Sequence, residues 1–186
     1  MRRVMFILFM ALLVTACATY SAPFIRSTIS VFHELDATGK TYALVPFKEQ
    51  EDSLEHKTYE NIVKQELNAK GFKEVPFKQA EILVFISYGI DAGKQVVTSS
   101  TVHIRMDGKN ADTEYEHFIE YTRFLKLDIV TKTVAKEQKP HKIYEAKVIS
   151  SGSGQLAAAL PTMIKSLFED FPGESGSSRT VLRLID

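Results

Sequence analysis

Cysteine is all but absent from this sequence: Cys17 is the only one among 186 residues. An exported chain with a lone cysteine cannot form an internal disulfide. Once that cysteine is committed elsewhere, no cysteine nucleophile is left. A surplus of charge of either sign is also missing, with 23 Lys and Arg against 23 Asp and Glu. Removing an N-terminal segment that contains Arg2 and Arg3 leaves a net charge of about −2, which argues against nucleic acid, whose binding rests on excess Lys and Arg facing phosphates. Long apolar runs are lacking. The run Val4–Val14 is about half of what spans a bilayer, and no later stretch predicts a transmembrane helix. Several catalytic signatures are missing as well. Gly39-Lys40-Thr41 has Glu34 where a phosphate-binding loop needs its first glycine, and a strand follows it where the loop needs a helix. Ser151-Gly152-Ser153-Gly154-Gln155 lacks the first glycine of a nucleophile elbow. No two of the histidines His33, His56, His103, His117 and His141 stand at metal-ligand spacing, and His33-Glu34 lacks the second histidine of a zinc-protease helix.

What the chain does have begins at its N-terminus. Met1-Arg2-Arg3, the apolar run Val4–Val14 and the small residues before Cys17 form a secretory signal. Val14-Thr15-Ala16-Cys17 resembles the lipobox of bacterial lipoproteins. That resemblance implies a Cys17 that is lipidated and becomes the first mature residue, so that the chain meets the membrane through acyl chains. Alanine rather than aspartate at 18 implies sorting to the outer membrane, facing the periplasm. The expected organisation is a signal peptide over 1–16, a lipidated cysteine and tether over 17–28, and one domain over 29–186. About 170 mature residues suffice for a single domain with a proper core.

Within that domain the residue patterns predict a sheet and two helices. Ile29–His33 and Thr41–Phe47 are rich in β-branched and aromatic residues and read as a hairpin across Asp36–Lys40. Ser53 is a candidate N-cap for a helix to about Lys70, with Tyr59, Ile62, Val63 and Leu67 at helical spacing and Gly71 as the stop. Ile82–Ile86 is a continuous apolar run of strand length and the best core candidate. A strand over Val96–Arg105, a polar connection over Met106–His117 and an alternating strand over Phe118–Val130 follow. Arg123 falls on the apolar face of that last strand. Ile143–Ser150 is the next strand, and Gln155–Phe171 is a helix interrupted by Pro161, where a kink or a second segment is expected. Thr180–Ile185 is an edge strand or a loose tail. The expected fold is α+β, a two-layer sandwich of a mostly antiparallel sheet with both helices on one face.

The order of these elements meets specific residues: Lys40-Thr41-Tyr42, Glu66–Phe72, Ala80–Val84, Leu125–Val130, Ile143–Ala146 and Phe171-Pro172. In this order they resemble the bacterial lipoproteins that carry domain of unknown function 4136, over about Ile29–Gly173. Family members often carry a tryptophan after Lys-Thr-Tyr and another in the late strand; here Ala43-Leu44 and Tyr144 stand in those places. The resemblance implies a single lipid-tethered α/β domain without catalytic residues or cofactors. It leads to the expectation of a non-enzymatic binding or scaffolding module with an envelope protein or lipopolysaccharide as partner.

Two alternatives stand beside it. An accessory subunit in lipopolysaccharide or outer-membrane protein assembly would use a basic tip, Lys132, Lys136, Lys139 and Lys142 around Pro140, with Arg123 nearby, against anionic headgroups. The plain alternative for that tip is a solvated loop with Glu137 among its lysines. An envelope hydrolase would join His103 or His117 to a carboxylate in a concave pocket. Ser151–Gly154 ahead of a helix could hold an anion, although turn and capping chemistry accounts for the same residues.

Overall fold

A computed structural model describes residues 24–35, 40–104, 111–132 and 140–185, and for 99–104, 111–114 and 116 it describes the backbone only. The strands are β1 (Phe24–His33), β2 (Thr41–Leu44), β3 (Lys73–Glu74), β4 (Ile82–Ile90), β5 (Lys94–Ile104), β6 (Ala111–Thr131), β7 (Lys142–Gly152) and β8 (Ser177–Leu184). The helices are α1 (Leu54–Ala69) and α2 (Leu156–Phe168), and short 3-10 turns cover Lys48–Gln50 and Phe77–Gln79. The sheet runs β3-β2-β4-β6-β7-β1-β8, with β5 paired to β6 off this path. Pairing is antiparallel except where β2 meets β3 and β4. The fold is therefore the α+β sandwich that the patterns predict.

The helices form where local chemistry asks for them. Ser53 Oγ accepts the His56 N–H at 3.1 Å and so caps α1, satisfying one of the donors that a helix start leaves free. Tyr59, Val63 and Leu67 bury one stripe of α1, and Gly71 ends it at φ +88°, a left-handed turn that glycine takes without strain. Helix α2 is apolar over most of its circumference and packs on β1, β6, β7 and β8 as well as on α1. It runs unbroken through Pro161, so no second segment begins there. The core lies between the helices and one sheet face, where Tyr42, Ile82, Val84, Leu127, Ile129, Ala146 and Val148 meet Leu160, Met163, Ile164 and Phe168. Each of the larger side chains contributes roughly 1.5–3 kcal/mol by leaving water.

Three expectations are corrected. The hairpin of the first two strands does not exist: β1 lies between β7 and β8, while β2 lies beside β3 and β4. The β2–β4 pair is parallel and needs a crossover, which α1 supplies. Strand β1 begins at Phe24, so Phe24–Thr28 belong to the sheet rather than to the tether. Strand β6 begins at Ala111 rather than Phe118, because Ala111–Glu120 pair with β5 alone as a two-stranded ribbon beyond the sheet. Among the described residues no core lies against that ribbon to impose an apolar alternation on its polar residues. The segment Thr180–Ile185 resolves as the edge strand β8 on β1.

Candidate functional site

The open face of the sheet, away from the helices, carries a charged lattice toward the end where β1 finishes. Asp128 on β6 and Glu145 on β7 are register partners, and two lysines bridge them. Lys126 Nζ lies 3.2 Å from Asp128 and 3.2 Å from Glu145. Lys142 Nζ lies 3.2 Å from Asp128 and 2.9 Å from Glu145. The bond to Glu145, helped by Asp128, pushes the Lys142 ammonium pKa up, and the bonds from Lys142 and Lys126 hold the Glu145 carboxyl below its ordinary range. Oppositely charged neighbours favour both ionised forms. Beside this lattice a cleft of about 310 Å³ is lined by residues including Phe32, His33, Glu34, Lys142, Glu145 and Ser175. His33 is fixed at its wall: Nε2 donates to the Gly173 carbonyl at 3.0 Å and Nδ1 accepts the Leu35 N–H at 3.2 Å. His141 Nε2 stands 3.1 Å from Glu34. The arrangement offers charges of both signs and an exposed aromatic, a surface suited to recognition.

Of the predicted basic patch, the described members Lys132, Lys142 and Arg123 are not brought together. Cys17, Lys136 and Lys139 lie outside the described residues. Lys132 donates to the carbonyls of Phe77 and Lys78 and sits over the Phe77 ring at 4.8 Å, while Lys142 belongs to the lattice. Arg123 is on the opposite, helix-side face, 3% exposed, so it is not a member of a surface patch with the lysines. Its Nη1 donates to the Gly154 carbonyl at 2.9 Å, and its guanidinium lies against Gly152, where a Cβ would stand 2.8 Å from Nη2. Burial pushes its pKa down. Ser27, Ser150 and Arg123 are register neighbours across β1, β7 and β6, and Ser27 Oγ, Ser150 Oγ and Arg123 Nε have no hydrogen-bond partner among the described residues.

His56 and His117 lie apart from the cleft. His56 is buried in α1 against Tyr88, with rings 5.9 Å apart, and Nε2 is 3.4 Å from Glu60. His117 sits in a shallow depression with Ala92, Gly93, Gln95, Phe118 and Ile119, and no carboxylate is among those residues. His103 pairs with Asp112 farther out on the ribbon. Among the described residues no group of three His, Cys, Asp or Glu side chains could hold a metal ion. The lattice partners Lys126, Asp128 and Glu145 were missed because alternating charges on a strand read only as its solvated face. Their one sequence signal is Lys126-Leu127-Asp128 opposite Lys142-Ile143-Tyr144-Glu145, and it becomes visible once the β6–β7 register is known.

The family model of DUF4136, a domain of unknown function, matches residues 34–173. The chain belongs to the DUF4136 family. The match begins at Glu34, just after β1, and stops at Gly173, before β8, so two paired strands of this DUF4136 protein lie outside it. No curated protein matches the chain. Among solved structures it is similar to a PDZ domain protein from Parabacteroides distasonis, with a TM-score of 0.51 and 15% identity over 91% of this chain and 42% of that one. The chain thus spans less than half the length of that protein, and the likeness is one of fold alone. A DUF4136 family protein from Bacteroides thetaiotaomicron has a TM-score of 0.44 and 10% identity over 80% of this chain and 97% of that one. A dodecamer of a PelC point variant from Paraburkholderia phytofirmans has a TM-score of 0.41 and 13% identity over 76% of this chain and 93% of that one.

Proposed function

We propose that this DUF4136 protein is a lipoprotein of the bacterial envelope, anchored through acylated Cys17 to the periplasmic side of the outer membrane, and that it acts as a non-catalytic binding module. The observation that carries the reading is the sequence Val14-Thr15-Ala16-Cys17 behind a signal-type apolar run. Its cysteine is the only one, and it lies seven residues ahead of the first strand residue, Phe24. Seven residues reach at most about 25 Å, so the domain is held close to its anchor. Acyl chains at Cys17 hold it firmly, because two or more chains bind a bilayer far better than one. The surface presented away from the anchor is the end of the sheet with the lattice of Lys126, Asp128, Lys142 and Glu145 and the cleft beside Phe32. A binding role is supported by the cleft itself, which sets the exposed Phe32 beside side chains of both charges.

Palmitate labelling and membrane fractionation of wild type and Cys17→Ala test the anchor. The variant is expected to lose both the label and its membrane fraction and to keep the circular dichroism of the folded domain. An unchanged membrane fraction overturns the reading. A photo-crosslinking residue at Phe32, compared in intact cells with one at the exposed helix position Leu54, tests the presented surface. A discrete adduct from position 32 alone is expected, and equal or absent adducts from both positions count against it.

A further inference from the structure

The sheet is apolar on its open face at the end where the chain enters. Strands β1 and β8 pair so that Phe24 faces Leu184 and Arg26 faces Leu182. Phe24 is 61% exposed, Leu182 58% and Leu184 48%. In both strands burial alternates strictly at this end, so these side chains project from one surface, as the period of a strand requires. Arg26 stands among them, exposed and without an ion-pair partner among the described residues. Farther along the same face Thr180 stands beside Thr28, whose row continues into the exposed Ile149 and Phe124, and the next row is polar, with Ser178 beside Ser30 and then Lys147 and Lys126. The register also places the start of β1 level with Glu120, at the base of the β5–β6 ribbon, where Val97, Phe118 and Ile119 are exposed.

We infer that the strip Phe24, Leu182 and Leu184, with Arg26, docks on the lipid surface of the membrane that holds the chain, and so fixes the orientation of the domain. The inference rests on the lipid-anchor reading of Cys17. The occupant follows from where the strip lies. Phe24 is the first strand residue after the anchor, within about 25 Å of Cys17 along the chain, whereas Phe32, on the same face of β1, is about 27 Å farther on. Exposed apolar side chains next to a cation match an interface of acyl chains under anionic phosphates. A tether this short keeps the strip at high effective concentration over the membrane, so a contact too weak to bind alone is occupied once the chain is anchored. The docked domain then points its charged lattice and cleft away from the bilayer. Both strands that build the strip lie outside the segment 34–173 that the family model matches.

The chain has no tryptophan, so a single introduced tryptophan is a background-free probe. Full-length lipidated protein carrying Phe24→Trp, Leu184→Trp or Phe32→Trp is reconstituted in vesicles of phosphatidylethanolamine and phosphatidylglycerol, with or without a lipid brominated in its acyl chains. Brominated lipid is expected to quench emission at positions 24 and 184 by about twofold or more and to leave position 32 unchanged, because only the strip reaches the acyl region. Equal emission at all three positions overturns the inference. Sedimentation of the same samples reads the anchor separately: protein that pellets with vesicles but is not quenched rejects docking alone, and protein that fails to pellet rejects the anchor and the docking together. If either tryptophan at the strip disturbs the fold, Leu182→Trp reports the same surface, with the same two outcomes.

Discussion

At the scale of single residues, Arg123 poses the sharpest question. A guanidinium at 3% exposure has given up most of its hydration. The structure returns one bond to the Gly154 carbonyl, with no carboxylate among the described residues beside it to balance the charge. Burial without a counter-charge is the costly case for an ion, and the lowered pKa of Arg123 expresses the same cost. Removing the charge while keeping the volume is therefore nearly harmless. Arg123→Met is expected to change unfolding free energy by less than about 1.5 kcal/mol, of either sign. Arg123→Ala, which leaves a cavity under the Gly152–Gly154 backbone, is expected to destabilise by about 2–4 kcal/mol. Urea unfolding of the two variants checks this, and a larger loss for Met than for Ala would show that the charge itself is needed. The sequence flagged this residue by its position on the apolar face of an alternating strand. That it lies beneath Gly152 and Gly154 depends on a β6–β7 pairing that no local pattern announces.

At the scale of elements, what could be read from the chain was what nearby residues decide. Helix α1 is legible from end to end because its cap, its apolar stripe and its stop all lie within one stretch, Ser53–Gly71. Strand β4 is legible because three of its side chains, Ile82, Val84 and Ile86, are buried and announce themselves as an apolar run. Pairing is different. β1 and β2 are close in sequence, yet they lie on opposite sides of β4, β6 and β7, since each joins the neighbour that completes its buried face. The ribbon half of β6 was hidden for the opposite reason, having no core to pattern it. The signals at the ends of α1 make separate predictions. Gly71 has nothing within 4 Å of where a Cβ would stand, so Gly71→Ala meets no clash and its loss, about 1–2 kcal/mol, comes from the left-handed backbone alone. Ser53→Ala loses about 1 kcal/mol with the cap. The sites share no partner, so the double variant should show the sum in its denaturation midpoint.

At the scale of the whole molecule, three carboxylates tie strands of the sheet together, and their protonation is expected to contribute to how the domain responds to acid. Glu81 accepts the backbone N–H and the hydroxyl of Thr41 at 2.9 and 2.8 Å, joining the start of β4 to β2. Asp91 accepts the N–H groups of Thr122 and Gly93 at 2.8 and 3.0 Å, closing the turn after β4 onto β6. Glu145 of β7 binds Lys126 of β6, and Lys142 beside it reaches Asp128 of β6. Hydrogen bonds from Thr41 lower the pKa of Glu81, those from Thr122 and then Gly93 lower that of Asp91, and Lys142 with Lys126 lowers that of Glu145. A depressed folded pKa means that the unfolded chain binds the proton more readily, so stability falls with falling pH in this range. The contribution is complete above the unfolded values, near pH 4–4.5, and disappears as the pH drops through the lower folded values. Lys142 acts in the opposite sense, its stabilisation being complete below the unfolded lysine value near 10.4 and lost at higher pH. Stability is therefore expected to be flat between about pH 5 and 9 and to fall below about 4. Urea midpoints measured across that range for wild type and for a Glu81→Gln, Asp91→Asn, Glu145→Gln triple variant check this. The variant should start lower at pH 7 and fall less on acidification, because its side chains no longer titrate. Parallel acid limbs for the two proteins would place the acid sensitivity in other groups.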